Sequence, residues 1–253
     1  NVYMNSITEQ FATFNISGPN AKTIMSRVFS NIDFSNEKFP YMSFNTFDYL
    51  NTKVRILRAS FTGEQGYEVY ISPKHALTLW ERIFYYSKDL GLVPYGTETM
   101  HLLRAEKGYI IVGQETDGTV TPIDLNLNWM IGKNKKDFIG KRSLVRSDII
   151  SSERKQLVGL VPINKAYGIE EGQQVIEKKN LETPINKPIK MLGHVTSSYF
   201  SPTLNHSVAM ALIKGGNRKI GSQLYVSTSD LNVIPVEVVK PSFIDPENKR
   251  LVS

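Results

Sequence analysis

The chain has 253 residues, 41% of them hydrophobic and 21% charged, a formal net charge of +6 and no cysteine. That is a globular composition, well away from the disordered class, and it excludes disulfides, zinc–thiolate sites and cysteine nucleophiles. The longest apolar runs, such as Val208–Ile213, fall far short of the roughly 20 residues of a membrane-spanning helix. The first residues carry no charged-then-apolar signal pattern, so an intracellular, cytoplasmic protein is expected. They also lack an initiator Met and read as the approach to a strand in mid-fold, as in a piece of a longer chain.

Gln10–Ser17 alternates apolar and polar residues as a strand does, and Gly18-Pro19-Asn20 turns it. A helix follows from Ala21, with Ile24, Met25 and Val28 on one face. Phe44–Tyr49 and Val54–Phe61 read as strands around an Asn51-Thr52 turn. Thr62–Gly66 is the next turn, unusual in carrying Glu64, and Tyr67–Ile71 the next strand, unusual in carrying Glu68 among buried-type residues. Ser72-Pro73 opens a helix as cap and first residue, with Ala76, Leu77, Leu79, Trp80, Ile83 and Phe84 as its apolar face. Val93–Tyr95 reads as a short strand and Thr97–Lys107 as a helix stopped by Gly108. Beyond Arg154 short strands dominate: "QLVGLVPI", "GQQVIEK", "KMLGHVTSSYF", "VAMALI", "GSQLYVST", "VIPVEVV". That spacing predicts a small antiparallel barrel or sandwich. The division falls near Ser151–Glu153, giving an α+β domain over 1–150 and a β domain over 151–253.

Little familiar chemistry is present. His75, His101, His194 and His206 share no metal-ligand spacing, so no metal site is expected. There is no G-x-S-x-G elbow, P-loop or G-x-G-x-x-G. The basic cluster Lys133, Lys135, Lys136, Lys141 and Arg142 has only Phe138 as a neighbouring aromatic. It lacks any nucleic-acid module, and it suits a small polyanionic ligand or an acidic partner subunit. Among the acids, Arg104 and Glu106 read as a helix-face pair or as solvated charges. Asp117 and Asp124 flank "GTVTPI". Glu68 faces either water from an edge strand or a cleft. In a cleft its two acceptor oxygens could take a donor pair from one edge of an aminopyrimidine-type ring, such as a pterin or a guanine.

Three stretches carry more: "SFTGEQGYEVYIS", "LRAEKGYIIVGQETDGTVTPIDLNLNWMIGKNKKDFIGKRSL" and "GHVTSSYFSPTLNHSVAMALI". They resemble blocks of the glycine-cleavage T-protein family, the folate-binding aminomethyltransferases. The second block is most similar to the C-terminal part of the α subunit of heterotetrameric sarcosine oxidases. The resemblance implies a tetrahydrofolate site in the α/β portion and a C-terminal β-barrel. It implies Glu68 as the carboxylate that holds the pterin, with Tyr67 and Tyr109 near the folate channel. It further implies capture of the one-carbon unit from oxidative demethylation of sarcosine as 5,10-methylenetetrahydrofolate, with flavin and NAD elsewhere in an assembly of other oxidase subunits. A stand-alone aminomethyltransferase or demethylase, and a non-catalytic subunit-docking module, are the alternatives. Two positions depart from the family pattern: Met100 stands where T-proteins carry an Arg, and Phe61 where they carry a Tyr. The family's catalytic Asp lies upstream of Asn1, so the catalytic residue is unknown here. On this likeness the folate domain is truncated at its N-terminus and 1–253 alone would be nearly inactive.

Overall fold

The computed structural model describes residues 1–177, 189–229 and 232–252. Lys178, at the end of the predicted "GQQVIEK" strand, lies outside them. Two compact units result. The first is Asn1–Leu103 together with the segment from Glu247 onward, and the second is Arg104–Pro246.

The first unit is built on a four-stranded antiparallel sheet: β1 (Ala12–Ser17), β2 (Phe44–Tyr49), β3 (Thr52–Leu57) and β4 (Gly66–Ile71), in the order β1-β4-β3-β2. Side chains alternate between the faces of a strand, and the two faces of this sheet differ sharply. One carries Ile16, Val54, Ile56, Tyr67, Val69 and Ile71, all buried. It packs with α1 (Ala21–Val28) and α2 (Ala76–Tyr86) in a single hydrophobic core. The predicted α1 face, Ile24, Met25 and Val28, is fully buried there. Phe29, Phe34, Phe39 and Tyr67 extend the core as tilted and edge-on aromatic pairs.

Several local expectations need correction. β3 ends at Leu57, not Phe61, so β3 and β4 are joined by an eight-residue loop, 58–65. Arg58 opens this loop fully buried, its guanidinium donating to the Asn36 amide oxygen at 2.7 Å and the Phe39 carbonyl at 2.8 Å. Burying an Arg there requires those partners, while its backbone still bonds to Ser43 and Met42 just before β2. Ser72 makes no side-chain cap bond; Pro73–His75 form a 3-10 turn before α2 begins. Only Leu79 and Ile83 of the predicted α2 face are buried, while Leu77 and Trp80 stay open. Val93–Tyr95 forms no strand.

α3 (Thr97–Lys107) matches its predicted bounds. Gly108 follows at φ +80°, where an added Cβ would lie 2.4 Å from the Pro241 carbonyl oxygen. Only glycine allows both the left-handed turn and that approach.

In the second unit β5 (Lys155–Pro162), β6 (Gln174–Ile176), β7 (Gly193–Ser201), β8 (His206–Lys214), β9 (Gln223–Ser227) and β10 (Val233–Val239) close into an antiparallel barrel, β10-β5-β8-β7-β6-β9. Closure removes the exposed strand edges. Among the described residues fourteen buried apolar side chains, Val158, Val175, Val195, Ala211, Val226 and Val236 included, form one core. A second cluster, Ala105, Leu125, Leu157, Met210 and Leu212, packs α3's end against β5 and β8.

The expected helix-face pair of Arg104 and Glu106 is overturned by burial. Arg104 is 0% exposed, and its guanidinium donates to Glu115 at 3.1 Å, to Ser197 Oγ at 2.7 Å and to the Tyr109 carbonyl at 3.0 Å. Glu106 accepts from Ser201 Oγ at 2.5 Å. Lys107 pairs with Asp245 at 3.0 Å. Three successive charges therefore find three separate partners, as burial demands.

Candidate functional site

The other face of the four-stranded sheet is polar. Glu68 of β4 lies opposite Asn15 of β1 and Leu57 of β3, and Tyr70 lies opposite Thr13 and Arg55. Cross-strand partners share a face with Cβ atoms about 5 Å apart, so Asn15, Glu68, Tyr70 and Arg55 form one patch. Glu68 is half-buried and neither floods into water nor enters the core. Its Oε2 accepts the Tyr70 hydroxyl. Burial, and then that bond, push the Tyr70 phenol up to about 12. Tyr70 therefore remains a neutral donor at ordinary pH. An ionised carboxylate has about four acceptor positions, so one phenol leaves room for a further pair of donors.

Asn15 continues the patch. Its Oδ1 accepts the Tyr95 hydroxyl at 2.8 Å and Ser17 Oγ at 2.5 Å. These residues border a cleft of about 320 Å³ along β1, lined also by Trp80, Thr97 and Met100. Arg55 is held over the Phe11 ring at 4.6 Å. The cleft thus joins a polar wall, with a carboxylate on the neighbouring strand, to an aromatic one. That is the composition of a site for a flat, hydrogen-bonding ring.

The predicted site residues are distributed as follows. Glu68 stands on the polar face. Tyr67, its neighbour in sequence, points to the opposite face, fully buried against Phe34 and Phe39, its buried hydroxyl without a hydrogen-bond partner among the described residues. Tyr109 belongs to the second unit, half-buried just past Gly108, its amide bonded to the Arg104 carbonyl at 2.8 Å. Phe61 lies in the 58–65 loop, and Met100 lines the β1 cleft. Asn15, Tyr70 and Tyr95 were missed. The alternation of β1 and β4 signalled the first two, but only strand register brings them beside Glu68.

Of the other acids, Asp124 is buried and accepts from Arg154 Nε at 2.8 Å and from the Thr121 backbone and hydroxyl. Burial alone would raise its carboxyl, but the bonds from Arg154 and Thr121 outweigh it and hold it below the usual range. Among the described residues no group of three or more His, Asp or Glu side chains is placed to hold a metal. None of their helices is long and apolar enough to cross a membrane.

Residues 1–135 match the family described as the GCVT N-terminal domain, and residues 155–245 match the glycine cleavage T-protein C-terminal barrel domain. The chain belongs to the glycine cleavage T-protein family. Within it, the chain is 42% identical over 247 residues to the sarcosine oxidase subunit alpha of Corynebacterium sp. (strain P-1), covering 97% of this chain and 25% of that protein. It is 32% identical over 253 residues to the sarcosine oxidase subunit alpha of Rhizobium meliloti (strain 1021), covering 99% of this chain and 25% of that protein. The aminomethyltransferase of Halothermothrix orenii is 32% identical over 237 residues, 94% of this chain and 62% of that protein. The chain therefore spans a quarter of the length of the oxidase subunits and under two thirds of the aminomethyltransferase. The T-protein fold is shared with the crystal structure of the glycine cleavage system aminomethyltransferase T from Bartonella henselae, at TM-score 0.73 and 24% identity over 90% of this chain and 58% of that one.

Proposed function

We propose that the protein binds tetrahydrofolate on the polar face of its first sheet, with Glu68 accepting the amino and ring N–H donors of the pterin. The observation that carries this reading is the setting of Glu68: half-buried, steered by Tyr70, and opposite Asn15, which itself lines a cleft. The acceptor fits a pterin, since a carboxylate with unused acceptor positions is what an adjacent pair of N–H groups requires. Asn15, Ser17 and Tyr95 offer further polar contacts. Met100 supplies no charge where T-proteins carry Arg, so contacts to the folate's glutamate tail are made by other groups. Tyr67 supports β4 from beneath, and Tyr109 stands in the second unit.

In this reading the chain is the folate-binding part of a sarcosine oxidase α subunit, working in the cytoplasm with other oxidase subunits that bring flavin and NAD. Bound tetrahydrofolate supplies the amine nitrogens that accept the one-carbon unit released when sarcosine is oxidatively demethylated, giving 5,10-methylenetetrahydrofolate. The chain's own residues position the ring and exclude water. Residues 1–150 are taken as the folate-binding part and 151–253 as the barrel part. A second reading, a folate-dependent aminomethyltransferase, is favoured by the 32% identity to the Halothermothrix orenii enzyme.

The test is fluorescence titration of the full-length protein with tetrahydrofolate, wild type against Glu68→Ala. Loss of the charge-assisted pair weakens binding by about 2 kcal/mol, roughly thirtyfold. Equal affinity in the two proteins overturns the assignment. Turnover with sarcosine against turnover with an aminomethyl donor separates the two readings.

A further inference from the structure

The 58–65 loop leads directly into β4 and Glu68, and the chain from Glu247 onward returns to the same compact unit. There a short helix, α4 (Lys249–Val252), buries Leu251 to 4% exposure. Arg250 reaches Glu64 at 2.5 Å, near the end of the loop. The Val252 carbonyl accepts the Asn36 amide N–H at 3.0 Å, and the same Asn36 side chain accepts from Arg58 at 2.7 Å, at the start of the loop. The segment thus touches the loop at both ends, directly at Glu64 and through Asn36 at Arg58. Gln65 then locks the exit, its carbonyl accepting from Gly18 at 2.9 Å and its side chain from the Lys22 amide at 3.2 Å. Gly66 begins β4 with no room for a side chain, since a Cβ there would lie 2.8 Å from the Ala59 carbonyl oxygen. A displacement of Glu64 has little slack to dissipate in before it reaches Glu68.

We propose that residues 247–252 act as a strap that clamps the Arg58–Gln65 loop at both ends and so sets the position of Glu68 at the ligand site. Arg250, Leu251 and Glu64 are positioning residues, none of them in contact with the ligand. This also accounts for the carboxylate in the turn: Glu64 is the strap's anchor, while Glu68 serves the site. The link to the ligand rests on the folate reading; the strap itself does not.

Two measurements on the full-length protein, wild type against Arg250→Ala, test it. Arg250 and Glu64 are 49% and 25% exposed, so the pair is a modest one, and its loss is expected to raise the tetrahydrofolate Kd about fivefold, with the melting temperature nearly unchanged. Hydrogen exchange in peptides spanning 58–70 is expected to quicken, while barrel peptides exchange as before. The charge swap Glu64→Arg with Arg250→Glu restores both values if the clamp is the cause. Unchanged exchange over 58–70 overturns the strap. Quickened exchange with unchanged Kd overturns its positioning role. A wild-type protein that fails to bind tetrahydrofolate sinks the folate reading, and the exchange data still decide the strap.

Discussion

Two sets of polar side chains in this molecule look alike in sequence and behave oppositely in the fold. At the end of α3, Arg104, Glu106 and Lys107 are buried, each matched to a separate partner in the second unit. On the sheet of the first unit, Tyr70 is matched to Glu68 and Tyr95 to Asn15, yet Glu68 and Tyr70 remain half-buried and Asn15 and Tyr95 line an open cleft. Full burial with every charge paired is architecture: a buried ion pair adds little net stability but is costly to break. Partial burial with acceptor positions to spare is a binding surface. The contrast separates the residues that hold the α3–barrel junction from those available to a ligand.

The sharpest way to break this contrast is to remove one member of the buried set. Arg104→Met leaves Glu115 uncompensated inside the second unit, and a loss of about 3–5 kcal/mol in urea unfolding is expected. A change under about 1 kcal/mol would show that water reaches Glu115 and that the two sets are not distinct. The matching change on the open face is Glu68→Ala. It should cost about 2 kcal/mol in tetrahydrofolate affinity with little shift in the melting temperature, the reverse of the Arg104 pattern.

Asp124 sharpens the comparison through pH. Its carboxyl is held below the unfolded value, so its stabilisation is complete above about pH 4 and is lost as pH falls through the folded-state value. Asp124→Asn should therefore reduce stability at pH 6 by about 1–2 kcal/mol and flatten the decline of the urea midpoint below pH 4. A parallel acid limb in the variant would assign that decline to other groups. The smallest effect is expected from Tyr70→Phe, which leaves Glu68 in place but removes its steering donor. A rise in tetrahydrofolate Kd of about threefold, under 1 kcal/mol, is expected. A loss as large as that of Glu68→Ala would make Tyr70 itself a ligand contact.

Much of this was legible in the residues. The alternation in "QFATFNIS" and "GYEVYIS" predicts β1 and β4, the spacing of Ile24, Met25 and Val28 predicts the buried face of α1, and "TETMHLLRAEK" before Gly108 predicts α3 to the residue. The short-strand pattern past Arg154 predicts an antiparallel β unit, which the structure resolves as a closed barrel. What misled was local context read without depth. Val93–Tyr95 has strand-like residues but joins neither sheet of the described residues. "LRAEK" has the look of a solvated helix end, but its partners Glu115, Ser197, Ser201 and Asp245 lie between 11 and 138 residues away in the chain.

By itself the sequence determined the elements, their apolar faces, the family and the presence of a carboxylate inside a buried-type strand. These are short-range properties, fixed by periodicity of two or 3.6 residues and by turn chemistry. Only the tertiary structure decided which face of β4 Glu68 occupies relative to Tyr67, which residues of β1 stand opposite it, and that Glu64 is held by Arg250 from a segment 186 residues further on. The reason is physical: register and long-range pairing depend on which chain segments meet across space, and no window of neighbouring residues contains that information.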